Sequence, residues 1–250
     1  MPHYSEVAAI LTDSLLLNQA PVAVSLADSL PEGVPLFDGR VAAGCQFWQL
    51  ASTRTFATTA VDHARCAIGI YTHNLEHVAG VDQDLGDALK VFADLGYVRS
   101  EDLAAIPVLP VQPKYVVYGP LSETTLKPDV VLLFVKADQT LILSEATQQV
   151  EGSWAPALGR PACAIVPQAK NSGRTALSLG CCGARAYVDS LRPDVALYAL
   201  PGANVEAYAE RIAALGKANA ILTQFHTLRR QDVEAGGSPT VQESLARLQG

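Results

Sequence analysis

Asp129-Val130-Val131-Leu132-Leu133-Phe134-Val135 opens on one acidic residue and then runs apolar without a break. A run this short, rich in branched and aromatic side chains, is a strand buried on both faces rather than one side of a helix. Nearer the N-terminus, Pro21-Val22-Ala23-Val24-Ser25-Leu26-Ala27-Asp28 has the same character, and Val131 to Asp138 repeats its apolar run closed by Ala-Asp. Around these two strands the chain uses one grammar twice. Thr55 to Thr59 and Thr175 to Leu179 are β-prone. Lys114 to Pro120 and Asp194 to Pro201 are strands that end in turns. Val7, Ile10, Leu11 and Leu15 recur at helical spacing over Tyr4 to Leu17, and helices are also expected over Asp82 to Gly96 and Asp138 to Gln149. Two further helices, Asn204 to Leu215 and Ala218 to Arg230, precede a terminal one over Val241 to Leu248. The expectation is an α/β protein with one domain over residues 1–250. It is built of two related αβ halves, about 5–125 and 126–230, an internal duplication packed as one globular unit.

The polar chemistry gathers in two places. Gly44-Cys45-Gln46-Phe47-Trp48 leads to Asp62-His63-Ala64-Arg65-Cys66-Ala67-Ile68-Gly69. Gly159-Arg160-Pro161-Ala162-Cys163 leads to Gly180-Cys181-Cys182-Gly183-Ala184-Arg185. Together they hold all 5 cysteines. Thiolates are soft ligands for zinc, Cu(I) or iron–sulfur clusters. No C-x2-C knuckle is present, so a zinc ribbon is poorly supported. A [4Fe-4S] cluster can draw ligands from separated turns. The leading expectation is therefore a metalloprotein, redox-active or substrate-activating. Its cofactor is an iron–sulfur cluster (4Fe-4S) on Cys45, Cys66, Cys163 and Cys181 as metal ligands from both halves.

Blander readings stand beside this one. Free cysteine packs as a small hydrophobe, which suits Cys163 between two alanines and also Cys182. His63 is the candidate catalytic residue, as a base for Cys66. It is otherwise a ligand or, the reading a lone histidine favours, a turn residue whose ring satisfies a backbone carbonyl. Asp62 reads as a turn cap, and His73 and His77 as a surface helix. Arg185 reads as exposed or carboxylate-paired. Two alternatives to the cluster follow. One is a metal-free cysteine-dependent enzyme with Cys66 or Cys45 as nucleophile. The other is a binding module for a small molecule or tetrapyrrole.

Composition narrows the partners. The 250 residues carry a net charge of -7, with no run of Lys and Arg, which argues against nucleic acid. The start, Met1-Pro2-His3-Tyr4, has no basic region ahead of an apolar one, and Ala8 to Leu17 is too short to span a bilayer. A cytoplasmic protein without a membrane partner is expected, working with a small molecule or a redox partner protein, with a homodimer as one option. In that compartment cysteines stay free, metal-bound or catalytic.

The quoted cysteine runs resemble the DUF169 family of uncharacterised bacterial and archaeal proteins. Pro21-Val22-Ala23-Val24, Lys114-Tyr115-Val116-Val117-Tyr118-Gly119-Pro120-Leu121 and Gly159-Arg160-Pro161-Ala162-Cys163-Ala164 add to the likeness. It covers roughly residues 5 to 230. The family's G-C-x-G-x-R segment has one cysteine, matched by Cys181, so Cys182 departs from the pattern. The resemblance implies a shared fold and cysteine framework and supplies no reaction.

Overall fold

The computed structural model describes residues 4–248, so the reading of Met1 to His3 lies outside the described residues. Its helices are α1 (Tyr4–Leu15), α2 (Gln46–Leu50), α3 (Ala67–Thr72), α4 (Val81–Asp94), α5 (Ala137–Glu151), α6 (Ile165–Ser172), α7 (Cys182–Tyr187), α8 (Val205–Glu234) and α9 (Val241–Ala246). Its strands are β1 (Val22–Ala27), β2 (Phe56–Thr58), β3 (Tyr115–Pro120), β4 (Val130–Val135), β5 (Ala157–Leu158), β6 (Ala176–Ser178) and β7 (Ala196–Pro201). They form one 7-stranded sheet in the order β2-β3-β1-β4-β7-β6-β5. Among the described strands the short β5–β6 pair alone is parallel, and Leu36 adds an isolated parallel bridge to Ala57 of β2. At the centre β1 and β4 run antiparallel, with Ala23 opposite Val131.

The apolar run at β4 is buried throughout because helices cover both faces of the sheet. Val131, Leu133 and Val135 face a core shared with α1, α5 and α8, while Val130, Leu132 and Phe134 face a second core. This is the two-residue period of a strand read out in packing. Each fully buried Val, Leu or Phe contributes about 1.5–3 kcal/mol relative to exposure. The second core carries the helix starts at Cys45, Cys66, Cys163 and Cys181.

Two sequence readings change here. The helices expected on either side of Gly216 are one helix, α8. A β-carbon on Gly216 would stand 3.1 Å from the Ser14 carbonyl oxygen, so this glycine lets α1 approach and does not end the helix. Nor do His73 and His77 share a surface helix. Helix α3 ends at Thr72, and Asn74 takes a left-handed φ of 48°. His73 is thereby turned inward, 1% exposed, while His77 lies outside beside Asp82. No helix among the described residues is long and apolar enough to cross a membrane.

Candidate functional site

Each cysteine turn is set by local chemistry. Before α2, the Gln46 side chain accepts hydrogen bonds from the Ala42 and Ala43 N–H groups, at 2.6 and 3.2 Å, and so holds the turn that delivers Gly44 and Cys45. The Asp62 carboxylate accepts from the Thr59 N–H and hydroxyl, at 2.7 and 2.9 Å. It caps the turn that leads through His63 to Cys66 at the start of α3. Cys181 stands at the start of α7, its sulfur accepting from the Ala184 N–H at 3.4 Å. Arg185 closes the same loop, donating to the carbonyls of Leu179, Leu191 and Arg192 rather than to a carboxylate. Cys163 is buried and donates its S–H to the Ile68 carbonyl at 3.8 Å.

The four thiols influence one another. A charge on Cys66 or Cys181 disfavours a charge on Cys45, and charges on Cys66, Cys181 and Cys45 disfavour one on Cys163. Burial is the larger cause in both cases. It pushes Cys45 up to about 12 and Cys163 well above the ordinary thiol range. Burial also raises Cys66, offset in part by the backbone N–H groups of Gly44 and Gly69, which face its sulfur. Cys45 and Cys163 are enclosed, Cys66 and Cys181 are half-buried, and Cys182 is exposed.

Glycine is required beside Cys66. A β-carbon on Gly69 would stand 2.9 Å from the Cys66 sulfur, and one on Gly44 would stand 3.0 Å from His63 Nδ1. Gly69→Ala should therefore destabilise by about 1–2 kcal/mol despite the roughly 1 kcal/mol that alanine gains over glycine inside a helix. The Cys66→Ala/Gly69→Ala double variant should recover that loss in denaturant titrations, because the clashing sulfur is gone.

Two imidazoles complete the site. Thr58 Oγ1 donates to the Val116 carbonyl at 3.1 Å and lies 3.0 Å from His63 Nε2. The Thr58 hydroxyl and His63 Nε2 share that hydrogen bond, and the ring's tautomer sets which of them donates. Among the described residues the ring's Nδ1 is buried without a partner. His73 Nδ1–H donates to the Gly69 carbonyl at 3.1 Å, which leaves its Nε2 bare and equally unpartnered. The rings lie 6.0 Å apart. Burial lowers His63 to about 3, helped by His73, and lowers His73 to about 4. Both rings are neutral at neutral pH. Sequence reasoning missed His73. The positive-φ asparagine that follows it, a residue type able to end a helix in this way, was the available signal.

The iron–sulfur expectation is corrected by this geometry. Among the described residues no group of three or more Cys, His, Asp or Glu side chains is placed to hold a metal ion. The physical reason is local. The Cys181 and Cys163 sulfurs are each bonded to backbone, and Cys66 is seated against two glycines.

Fold and site together define a class: a three-layer α/β protein with a thiol cluster gathered at helix starts on one face of its sheet. The chain belongs to the DUF169 family, described as "Uncharacterised ArCR", whose model matches residues 10–211 of the 250. The match takes in every strand and all five cysteines and ends inside α8. No curated protein and no solved structure matches the chain.

Proposed function

We propose that this protein carries out thiol chemistry at Cys66, with Cys181 as the second sulfur. One observation carries the reading. Cys66 is only half-buried, two backbone N–H groups face its sulfur, and three further thiols lie within electrostatic reach. The N–H pair favours a thiolate at this sulfur, the form that reacts. At rest burial outweighs it, and the thiol is protonated. His63, neutral and lowered to about 3, does not take that proton at equilibrium; its role is to position.

With a small disulfide as co-reactant the chemistry balances. The Cys66 sulfur loses its proton and attacks one sulfur of the disulfide. A new S–S bond forms, the old one breaks, and the leaving thiolate takes up a proton. Cys181 then attacks the Cys66 sulfur, closing a Cys66–Cys181 disulfide and releasing the second small thiol. Two electrons pass from the protein dithiol to the reagent. Incubation with hydroxyethyl disulfide, followed by peptide mapping, tests this. The expected product joins the peptides of Cys66 and Cys181, while Cys45 and Cys163 stay unmodified. A native protein whose Cys66 never exchanges overturns the proposal, and one that stops at the mixed disulfide removes Cys181 from it.

The reading implies a small molecule or a redox protein as partner and a reducing compartment, hence the cytoplasm. We further infer that the halves are related. Mirrored strand order about the β1–β4 pair, 2-3-1 against 4-7-6, supports it, as does the placing of paired cysteine turns in each half.

A further inference from the structure

Helix α4 carries an apolar stripe that the fold leaves half open. Val81, Leu85, Ala88, Leu89 and Phe92 recur at the three- and four-residue spacing of one helix face. Within α4 Val81 alone is buried, and the other four are half-buried. The start of the stripe borders a cleft of about 260 Å³. Ile70 and Tyr71 from α3, Val81 and Leu85 from α4, and Val108 from the loop before β3 line it. Tyr71 is exposed, and Val91, Leu95 and Tyr97 continue the exposed apolar surface at the C-terminal end of α4.

The surroundings of this surface are acidic. Asp82, Asp84 and Asp87 are exposed on α4, and Asp94 already holds the helix's one lysine, Lys90. His77 stands 3.2 Å from Asp82 at the cleft. Charge and size then choose the occupant. A second copy of this chain brings the same net charge of -7 and, across a two-fold axis, the same aspartates. Nucleic acid and an anionic bilayer are repelled for the same reason. The cleft is smaller than the roughly 300–1,000 Å³ of small-molecule sites. It suits large apolar side chains from a helix laid along a groove, with cations beside them to match the aspartates.

We propose that the α3–α4 cleft is a docking surface for a partner protein that presents a basic amphipathic helix. Large apolar side chains of that helix enter between Tyr71 and Leu85, and its Lys or Arg residues meet Asp82, Asp84 and Asp87. The surface does not depend on the thiol reading. It adjoins it in the fold, since Cys66 stands immediately before α3.

Three fluorescein-labelled peptides of about 16 residues, long enough to form a helix, test the proposal on the native chain by anisotropy. The first has leucines at i, i+3, i+4 and i+7 on a lysine background. The second keeps the leucines and exchanges lysine for glutamate; the third keeps the lysines and exchanges leucine for serine. The leucine–lysine peptide should bind at least about tenfold more tightly than either, since burying a single leucine is worth that factor. Its affinity should fall as salt rises from about 50 to about 500 mM. Tyr71→Ser and Asp84→Lys/Asp87→Lys should each weaken it about fivefold. Hydrogen exchange locates the contact without a variant: the same peptide should slow the amides of α3 and α4. Equal affinities for the three peptides, binding to none of them, unchanged affinity in both variants, or protection confined to other elements overturns the docking surface. No thiol reacts in these measurements, so their outcome is read apart from that of the disulfide exchange.

Discussion

Acidification from about pH 6.5 to about pH 4.5 is expected to remove roughly 5 kcal/mol of folding stability through two side chains, His63 and His73. Both are fully buried, and burial lowers them to about 3 and about 4. The unfolded chain regains an ordinary imidazole near pH 6.5. For a group depressed in the fold, the stabilising contribution is complete above that unfolded value. It is lost as pH falls, because the unfolded state takes up protons that the folded state refuses. The loss continues down to the folded values. Each ring contributes up to about 1.4 kcal/mol per pH unit, so the pair gives a slope near 2.7. Urea unfolding at intervals between about pH 6.5 and about pH 5, above most carboxylate titration, isolates the effect. His63→Gln should halve the slope. A flat profile in that window would show that water reaches both rings.

Phe47→Ala is expected to cost about 4 kcal/mol at neutral pH, within the range for truncating a buried phenylalanine. Phe47 is 0% exposed and sits at the centre of an aromatic cluster. Its ring centroid lies 4.7 Å from that of His63, 5.0 Å from Phe37 and 5.6 Å from Tyr118. The variant has a second consequence. The cavity lies against His63, and water entering it would solvate the imidazolium and lift that ring toward its ordinary value. The acid slope should then fall toward that of His73 alone, so the loss measured at pH 5 should be smaller than at pH 7. Equal losses at both would show that other groups keep His63 dry.

Much of the architecture is legible along the chain because it depends on neighbours in sequence. The apolar runs at β1 and β4 have strand length and composition. The helical spacing of Val7, Leu11 and Leu15 gives α1, and the match of Asp62 to Thr59 is a turn chemistry that needs only local residues. Strand β5 escaped because two residues carry no period. The break expected at Gly216 was a reading of glycine as punctuation, where its real cause is the Ser14 carbonyl of a distant helix.

The site divides in the same way. The amino-acid sequence by itself determined the long strands and helices, that the cysteines stand at turns and helix starts, and the family. Only the tertiary structure decided what those residues can do. The iron–sulfur reading counted thiols, but coordination depends on where each sulfur points, and here two are bonded to the backbone of their own or a neighbouring turn. The unpartnered Nδ1 of His63 follows from the way Thr58 and Phe47, from separate elements, enclose the ring. The neutrality of both rings follows from burial under residues far apart in the chain, Phe47 and Tyr118 among them. Burial and hydrogen-bond competition are properties of what surrounds a group in space, which no local pattern encodes.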